Sequence, residues 1–336
     1  MRLGVLAYDT PTGLGYQTRD YVKHLNPYKV LVSDLTIYNG MPKMNFYNDI
    51  AYYGCLGYPD EKTMIDFCSD LDVILFAETP LNYDFYNIAK ELNVKTATVI
   101  NWEFFDHIAK PELPLPDLFI MPTIWHYGDA EKFALENEVK ITQLHHPVDT
   151  EELRPIIRTE FRNFFHIAGN PAINDRNGTE IYLQADIAGT VVTQSTDYAN
   201  KLAREYRHST IYTGVDDQNV LYSFGDVMVL PRKYGGNCLP LNEALACGLP
   251  VIMPNIEPNN NILPEEWLVD AFVVDRFMPR TVIDIYQTDL CKLEDKLNWF
   301  RGCNLKDQSI KALEIADTIS WAKLKDKYIE ALGGLL

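Results

Sequence analysis

Residues 226–254 read DVMVLPRKYGGNCLPLNEALACGLPVIMP. Asp226 to Leu230 is a short apolar run of the length of one buried strand, and Pro231 stops it. Arg232-Lys233-Tyr234-Gly235-Gly236-Asn237 follows as a loop with two cations and two adjacent glycines. From Leu239 to Ala246 the apolar residues Leu241, Ala244 and Leu245 fall at helical spacing, and Gly248 is suited to end the helix. Val251-Ile252-Met253 is a second strand, closed by Pro254. The order is strand, glycine-rich loop, helix, strand, a unit of a parallel α/β sheet. Such a unit places a ligand at the helix N-terminus, where backbone N–H groups and the helix dipole favour phosphate. Gly235 and Gly236 let the backbone approach that ligand closely. Glu243, on the turn after the loop, can reach back toward a ribose.

The wording of Gly235–Pro254 resembles the nucleotide-sugar loop of the retaining glycosyltransferases of the GT-B fold, the large group 1 or GT4-like family. Leu239-Pro240, Glu243-Ala244, Ala246-Cys247-Gly248 and Pro250-Val251-Ile252 fall in register with that family's pattern. The resemblance implies an α/β chain of the GT-B class. Two Rossmann-like domains, each a doubly wound parallel sheet, would face a cleft, and the C-terminal helix would cross back to the first domain. It also implies an enzyme that moves a sugar from a nucleotide-diphosphate donor to an acceptor hydroxyl with retention at the anomeric carbon. Gly235, Gly236, Asn237, Cys238 and Leu239 would then bind the donor, with Glu243 on its ribose and Lys233 beside its diphosphate. One position departs from the pattern. The family's first Glu, which contacts the transferred sugar, falls on Gly235. That leaves open a different donor sugar (a pentose among them), a contact shifted to Asn237 or to backbone, or binding without turnover.

Upstream, Phe164-Phe165-His166-Ile167-Ala168 opens a new sheet, followed by a loop to Gly178 and a helix from Thr179. The family writes that loop as Gly-Arg, a spacer of variable length, then a Lys, and its two cations hold the donor diphosphate. Here Asn170 stands at the Arg position and Arg176 at the Lys position, with Arg232 or Lys233 able to supply the second cation. Asp149–Arg158 is charged and proline-bearing, as a linker is. It sets the division into a first domain of residues 1–155, a donor domain of 156–315 and a final helical segment of 316–336.

The first half also alternates strands and helices. Leu3–Tyr8 is a strand, a loop carries Gly13 and Gly15, and a helix runs from Tyr16 to Leu25. By the resemblance, Gly13 and Gly15 join the donor site. Tyr38–Tyr58 reads as an irregular connection rich in Tyr and Asn. Glu78 closes the strand Leu71–Phe76, at the edge where open α/β sheets bind ligands. Glu103 and His107 follow the strand Lys95–Asn101, and with Glu78 they are the acceptor-side candidates. His145-His146 does not make a metal pair, because neighbours on a strand point to opposite faces. The family needs no divalent metal either, so neither a metal nor another cofactor is expected. Near the C-terminus, Val220–Phe224 reads as a short helix, Trp267–Val274 as strand, and Asp284–Phe300 and Lys306–Leu332 as helices.

Bulk properties narrow the partners. At 336 residues and 47% apolar content the chain can bury two cores. A net charge of −17 disfavours unaided binding to nucleic acid, where affinity rests on Lys and Arg at phosphates. A glycosylated DNA base therefore stands only as an alternative acceptor. The six cysteines form no C-x-x-C pair and read as reduced thiols of a cytoplasmic protein, monomeric or homodimeric. No stretch approaches the ~18 apolar residues of a membrane span, and the N-terminus enters a strand without a signal-peptide pattern.

Overall fold

The computed structural model describes residues 1–35, 42–169, 175–185, 187–206, 208–215, 217–278 and 280–336. The chain divides into two compact units, each built on one parallel sheet. The first holds Met1–His146, Pro279–Thr281 and Leu324–Leu336, and the second holds Pro147–Met278 and Val282–Lys323.

In the first unit β1 (Leu3–Tyr8) is buried along its whole length, as a central parallel strand must be when helices cover both faces. Helix α1 (Gly13–Leu25) starts at Thr12, whose hydroxyl accepts from Gly15 N, and ends at Asn26 in the left-handed conformation. There follow β2 (Lys29–Asp34), β3 (Tyr53–Leu56), α2 (Glu61–Cys68), β4 (Val73–Ala77), α3 (Asp84–Glu91) and β5 (Lys95–Val99). After a short 3-10 turn come α4 (Phe105–Ile108), β6 (Leu118–Met121), α5 (Tyr127–Glu136) and β7 (Lys140–Gln143). The seven strands lie in the order β3-β2-β1-β4-β5-β6-β7. Chain direction across the sheet therefore reverses between β1 and β4, the position where such sheets bind ligands. The core on one side joins Leu6, Leu31, Ile74 and Phe76 to Phe67 of α2 and Phe85 of α3. Each such fully buried side chain contributes about 1.5–3 kcal/mol.

The second unit begins its sheet with β8 (Phe164–Gly169) and continues through α6 (Thr179–Gln184), β9 (Gly189–Thr193), α7 (Thr196–Glu205), β10 (Thr210–Thr213), α8 (Gln218–Leu221) and β11 (Val227–Val229). Then follow α9 (Leu239–Ala246), β12 (Val251–Pro254), α10 (Asn259–Ile262) and β13 (Leu268–Val269). The order is β10-β9-β8-β11-β12-β13, with its reversal between β8 and β11. A two-stranded antiparallel sheet of β14 (Ala271–Phe277) and β15 (Ile283–Thr288) precedes α11 (Leu290–Gly302), α12 (Leu305–Thr318) and α13 (Trp321–Gly333). The Rossmann-like α/β class expected from residues 226–254 is what both units show.

Four local expectations change. Residues 284–288 are strand, because Ile283 and Ile285 pair across to Phe277 and Asp275, and the helix starts only after Asp289 caps it at Lys292 N. The segment 267–274 is not one strand: Leu268–Val269 pairs parallel with β12, and Ala271 then opens the antiparallel pair. The helix expected over 306–332 is two helices. They break at Ile319–Ser320, where Val148 N donates to Ile319 O at 2.9 Å. Tyr38–Tyr58 contains β3, an edge strand on β2 that its polar, tyrosine-rich composition conceals.

Candidate functional site

The loops after β8 and β11 meet at the reversal of the second sheet. His166 of β8 joins the two strands from beneath. Its Nδ1 lies 2.7 Å from Val229 O and its Nε2 3.0 Å from the Thr179 hydroxyl. Since a carbonyl only accepts, Nδ1 carries the proton and Thr179 donates to Nε2. Burial lowers the His166 pKa to about 4, so the ring is neutral at ordinary pH.

Above it the two loops interlock. Lys233 N donates to Arg176 O at 2.9 Å. Arg176 Nη2 donates to Gly235 O at 2.9 Å, and its guanidinium lies 4.7 Å from the centroid of the Tyr234 ring. Lys233 Nζ stands 3.3 Å from Asp175 Oδ2 and 3.9 Å from Glu180 Oε2. Asp175 is itself fixed, accepting from Thr179 N and Glu180 N. Gly178 (φ 74°) permits the approach: a Cβ there would lie 2.0 Å from Pro231 O. Gly236 (φ 98°) turns the loop toward α9. Cys238 precedes α9, and no side chain caps that helix N-terminus. In the second turn of α9, Glu243 Oε1 accepts from Gln218 Nε2 at 3.0 Å, and Oε2 accepts from the Tyr222 hydroxyl.

Of the donor residues read from sequence, Arg176, Lys233, Gly235, Gly236, Asn237, Cys238, Leu239 and Glu243 all lie in this unit. Arg176, Lys233 and Gly235 are joined by direct bonds. Asn170 lies outside the described residues. Arg232 is buried, with its N donating to Leu230 O at 2.8 Å. Sequence reading missed Asp175, Tyr234, Gln218 and Tyr222. Only Tyr222 carried a signal: a tyrosine, once buried, needs a partner for its hydroxyl.

Gly13, Gly15, Glu78, Glu103 and His107 belong to the first unit. Gly13 is the first residue of α1 and exposed, while a Cβ at Gly15 would lie 1.9 Å from Thr10 O. Glu78 follows β4 directly in a left-handed conformation (φ 68°), a strain that such residues bear where the surrounding structure imposes it. Its Oε1 accepts from Asn101 Nδ2 at 3.4 Å. Glu103 is buried, and its carbonyl accepts from Thr281 N at 3.2 Å. His107 is exposed, and partial burial with the charges of Arg280 and Lys110 lowers its pKa. Among the described residues no group of three His, Cys, Asp or Glu could hold a metal ion. None of their helices is long and apolar enough to cross a membrane.

Residues 155–284 match the family model described as glycosyl transferases group 1, which bears out the group 1 resemblance read from Gly235–Pro254. No curated protein matches the chain. Among solved structures, Anabaena HepE in complex with UDP aligns with a TM-score of 0.69 at 11% identity, over 99% of this chain and 100% of its own. A lipopolysaccharide outer core galactosyltransferase, WaaB, aligns at 0.68 and 10% identity, over 100% of both chains. Sucrose-phosphate synthase from Thermosynechococcus elongatus aligns at 0.67 and 13% identity, over 100% of this chain and 99% of its own. At such identities the likeness shows the fold, that of GT-B glycosyltransferases.

Proposed function

From a donor-side segment that matches the group 1 glycosyltransferases and a fold shared with GT-B enzymes, we propose that the protein transfers a sugar from a nucleotide-diphosphate donor to an acceptor hydroxyl, with retention at the anomeric carbon. The observation that carries the reading is the pair of interlocked loops at the β8/β11 reversal. Arg176 is bonded to the loop that leads into α9 and Lys233 belongs to it, with the Glu243 carboxylate in the second turn of that helix.

A diphosphate leaving group gains negative charge as the glycosidic bond breaks. Fixed cations and an oriented helix end stabilise that charge without reorganising during the reaction. Arg176 is held by Gly235 O and Tyr234, and Lys233 by Asp175, so both are ordered before a donor arrives. Glu243 would accept from the donor ribose. The departing phosphate oxygen would take the acceptor proton, so no separate base is assigned. Glu78, Glu103 and His107 remain the acceptor-side candidates. With cations fixed in place, the reaction is proposed to need no metal, and EDTA is expected to leave turnover unchanged.

Gly235 gives a second reading its footing: a nucleotide-sugar binding protein without turnover. A titration with UDP-, GDP-, ADP- and TDP-sugars, followed by thermal stability and then by release of free sugar or transfer, separates the two. A donor-specific shift that Arg176→Ala weakens at least tenfold, with turnover, supports the enzyme. A shift with neither transfer nor hydrolysis supports the binding protein. No shift with any donor overturns both.

A further inference from the structure

We infer that Tyr222 and Gln218 form a clamp that orients the Glu243 carboxylate and so sets how strongly the site selects a ribose. This rests on the reading of Glu243 as the ribose partner. A glutamate near a helix start has three side-chain torsions, and a diol is gripped well only if its carboxylate is already aimed. Here the two oxygens take separate donors, Gln218 Nε2 on Oε1 and Tyr222 Oη on Oε2.

Both donors come from one element. Gln218 is the first residue of α8 and Tyr222 its C-terminal neighbour, so a single turn delivers both. Asp217 caps that turn through Asn219 N and Val220 N. Tyr222 is fully buried, packed edge-on against Phe165, and its hydroxyl has little freedom to turn elsewhere. Burial first, and then the Glu243 charge, raise the Tyr222 pKa well above its ordinary value, so the hydroxyl remains a donor.

The turn is in turn anchored by Arg158. Its guanidinium is buried and donates to four carbonyls: to Tyr222 O at 2.8 Å, Cys247 O at 2.6 Å, Ile156 O at 2.9 Å and Gly225 O at 3.2 Å. One side chain thus ties the residue that clamps Glu243 to the C-terminal end of the helix that carries Glu243. Arg158 and the clamp are positioning residues; none is assigned a contact with the reacting atoms.

The test measures the dissociation constants of UDP, GDP and ADP, of their 2′,3′-dideoxy counterparts, and of inorganic pyrophosphate. The protein as it stands is expected to prefer the ribose form of its nucleotide at least tenfold. Glu243→Gln should reduce that ratio to about threefold or less. Tyr222→Phe, which keeps the ring packing, and Gln218→Leu should do the same while pyrophosphate affinity stays unchanged. Arg158→Lys, which keeps the charge but not the fork, should fall between. If Glu243→Gln reduces the ratio and Tyr222→Phe does not, the clamp is overturned and the ribose reading stands. If Tyr222→Phe weakens UDP and pyrophosphate alike, the role is merely structural and the clamp is again overturned. If Glu243→Gln leaves the ratio intact, or the unaltered protein binds no nucleotide, the ribose reading falls and the clamp with it.

Discussion

Gly235 and Gly236 are neighbours in one loop, yet the structure asks different things of them. Gly236 holds φ 98°, where an L side chain is strained, whereas Gly235 is not among the positive-φ glycines. Backbone strain of that kind costs about 1–3 kcal/mol. Gly236→Ala is therefore expected to weaken nucleotide binding about tenfold, with Gly235→Ala within about threefold of the parent, both read by calorimetric titration. Equal losses in the two variants would show that steric space rather than φ governs the loop. The Gly-Gly pair was visible in the sequence as a phosphate-loop feature. The difference between its members was not, because φ is set by where Cys238 and α9 must begin. Tyr234 is a similar case. Nothing in its spacing foretells a guanidinium stacked on its ring, since Arg176 reaches it from 58 positions away in the chain.

Helix starts illustrate what an element owes to its neighbours. Gly15 lies in the first turn of α1 and would drive a Cβ to 1.9 Å from Thr10 O. Gly128 lies in the first turn of α5 and has nothing within 4 Å of the same position. Gly15→Ala is expected to destabilise the first unit by 2 kcal/mol or more, of order the cost of overpacking. Gly128→Ala should add about 0.5–1 kcal/mol through helix propensity alone. Thermal melts of both variants check the pair, and a stable Gly15→Ala would refute the close contact. Strands and helices with an apolar run or a clean cap were legible in order: β1, β4, α9 and β12 lie where their residues put them. The exceptions were elements that depend on a partner. Residues 284–288 become strand only because residues 271–277 lie alongside, and Ser320 breaks a helix only because Val148 bonds there.

At the scale of the molecule, each unit carries a neutral histidine in its interior. Burial lowers His146 in the first unit to about 3 and His166 in the second to about 4. In the unfolded chain such groups titrate near 6.5, so below that pH the unfolded state binds protons that the folded state refuses. Stability is therefore full above about 6.5 and lost as pH falls toward 4, with each histidine adding up to about 1.4 kcal/mol per pH unit. Both units are expected to melt at lower temperature at pH 5 than at pH 7. His166→Gln should flatten the acid dependence of the second unit, as followed by calorimetry. An unchanged pH profile in that variant would place the acid lability elsewhere.

The sequence by itself determined the class of fold, the strand–loop–helix–strand unit and its family resemblance, because each rests on local patterns: apolar runs, helical spacing, caps and a short motif. It also supplied the residue types a diphosphate site requires. Only the tertiary structure decided that Arg176 is held by Gly235 O, that Lys233 pairs with Asp175, and that Glu243 is gripped by Tyr222 and Gln218. These contacts join residues 21 to 59 positions apart in the chain. Pairing at that distance depends on which strands lie side by side, and strand order leaves no local trace in the chain.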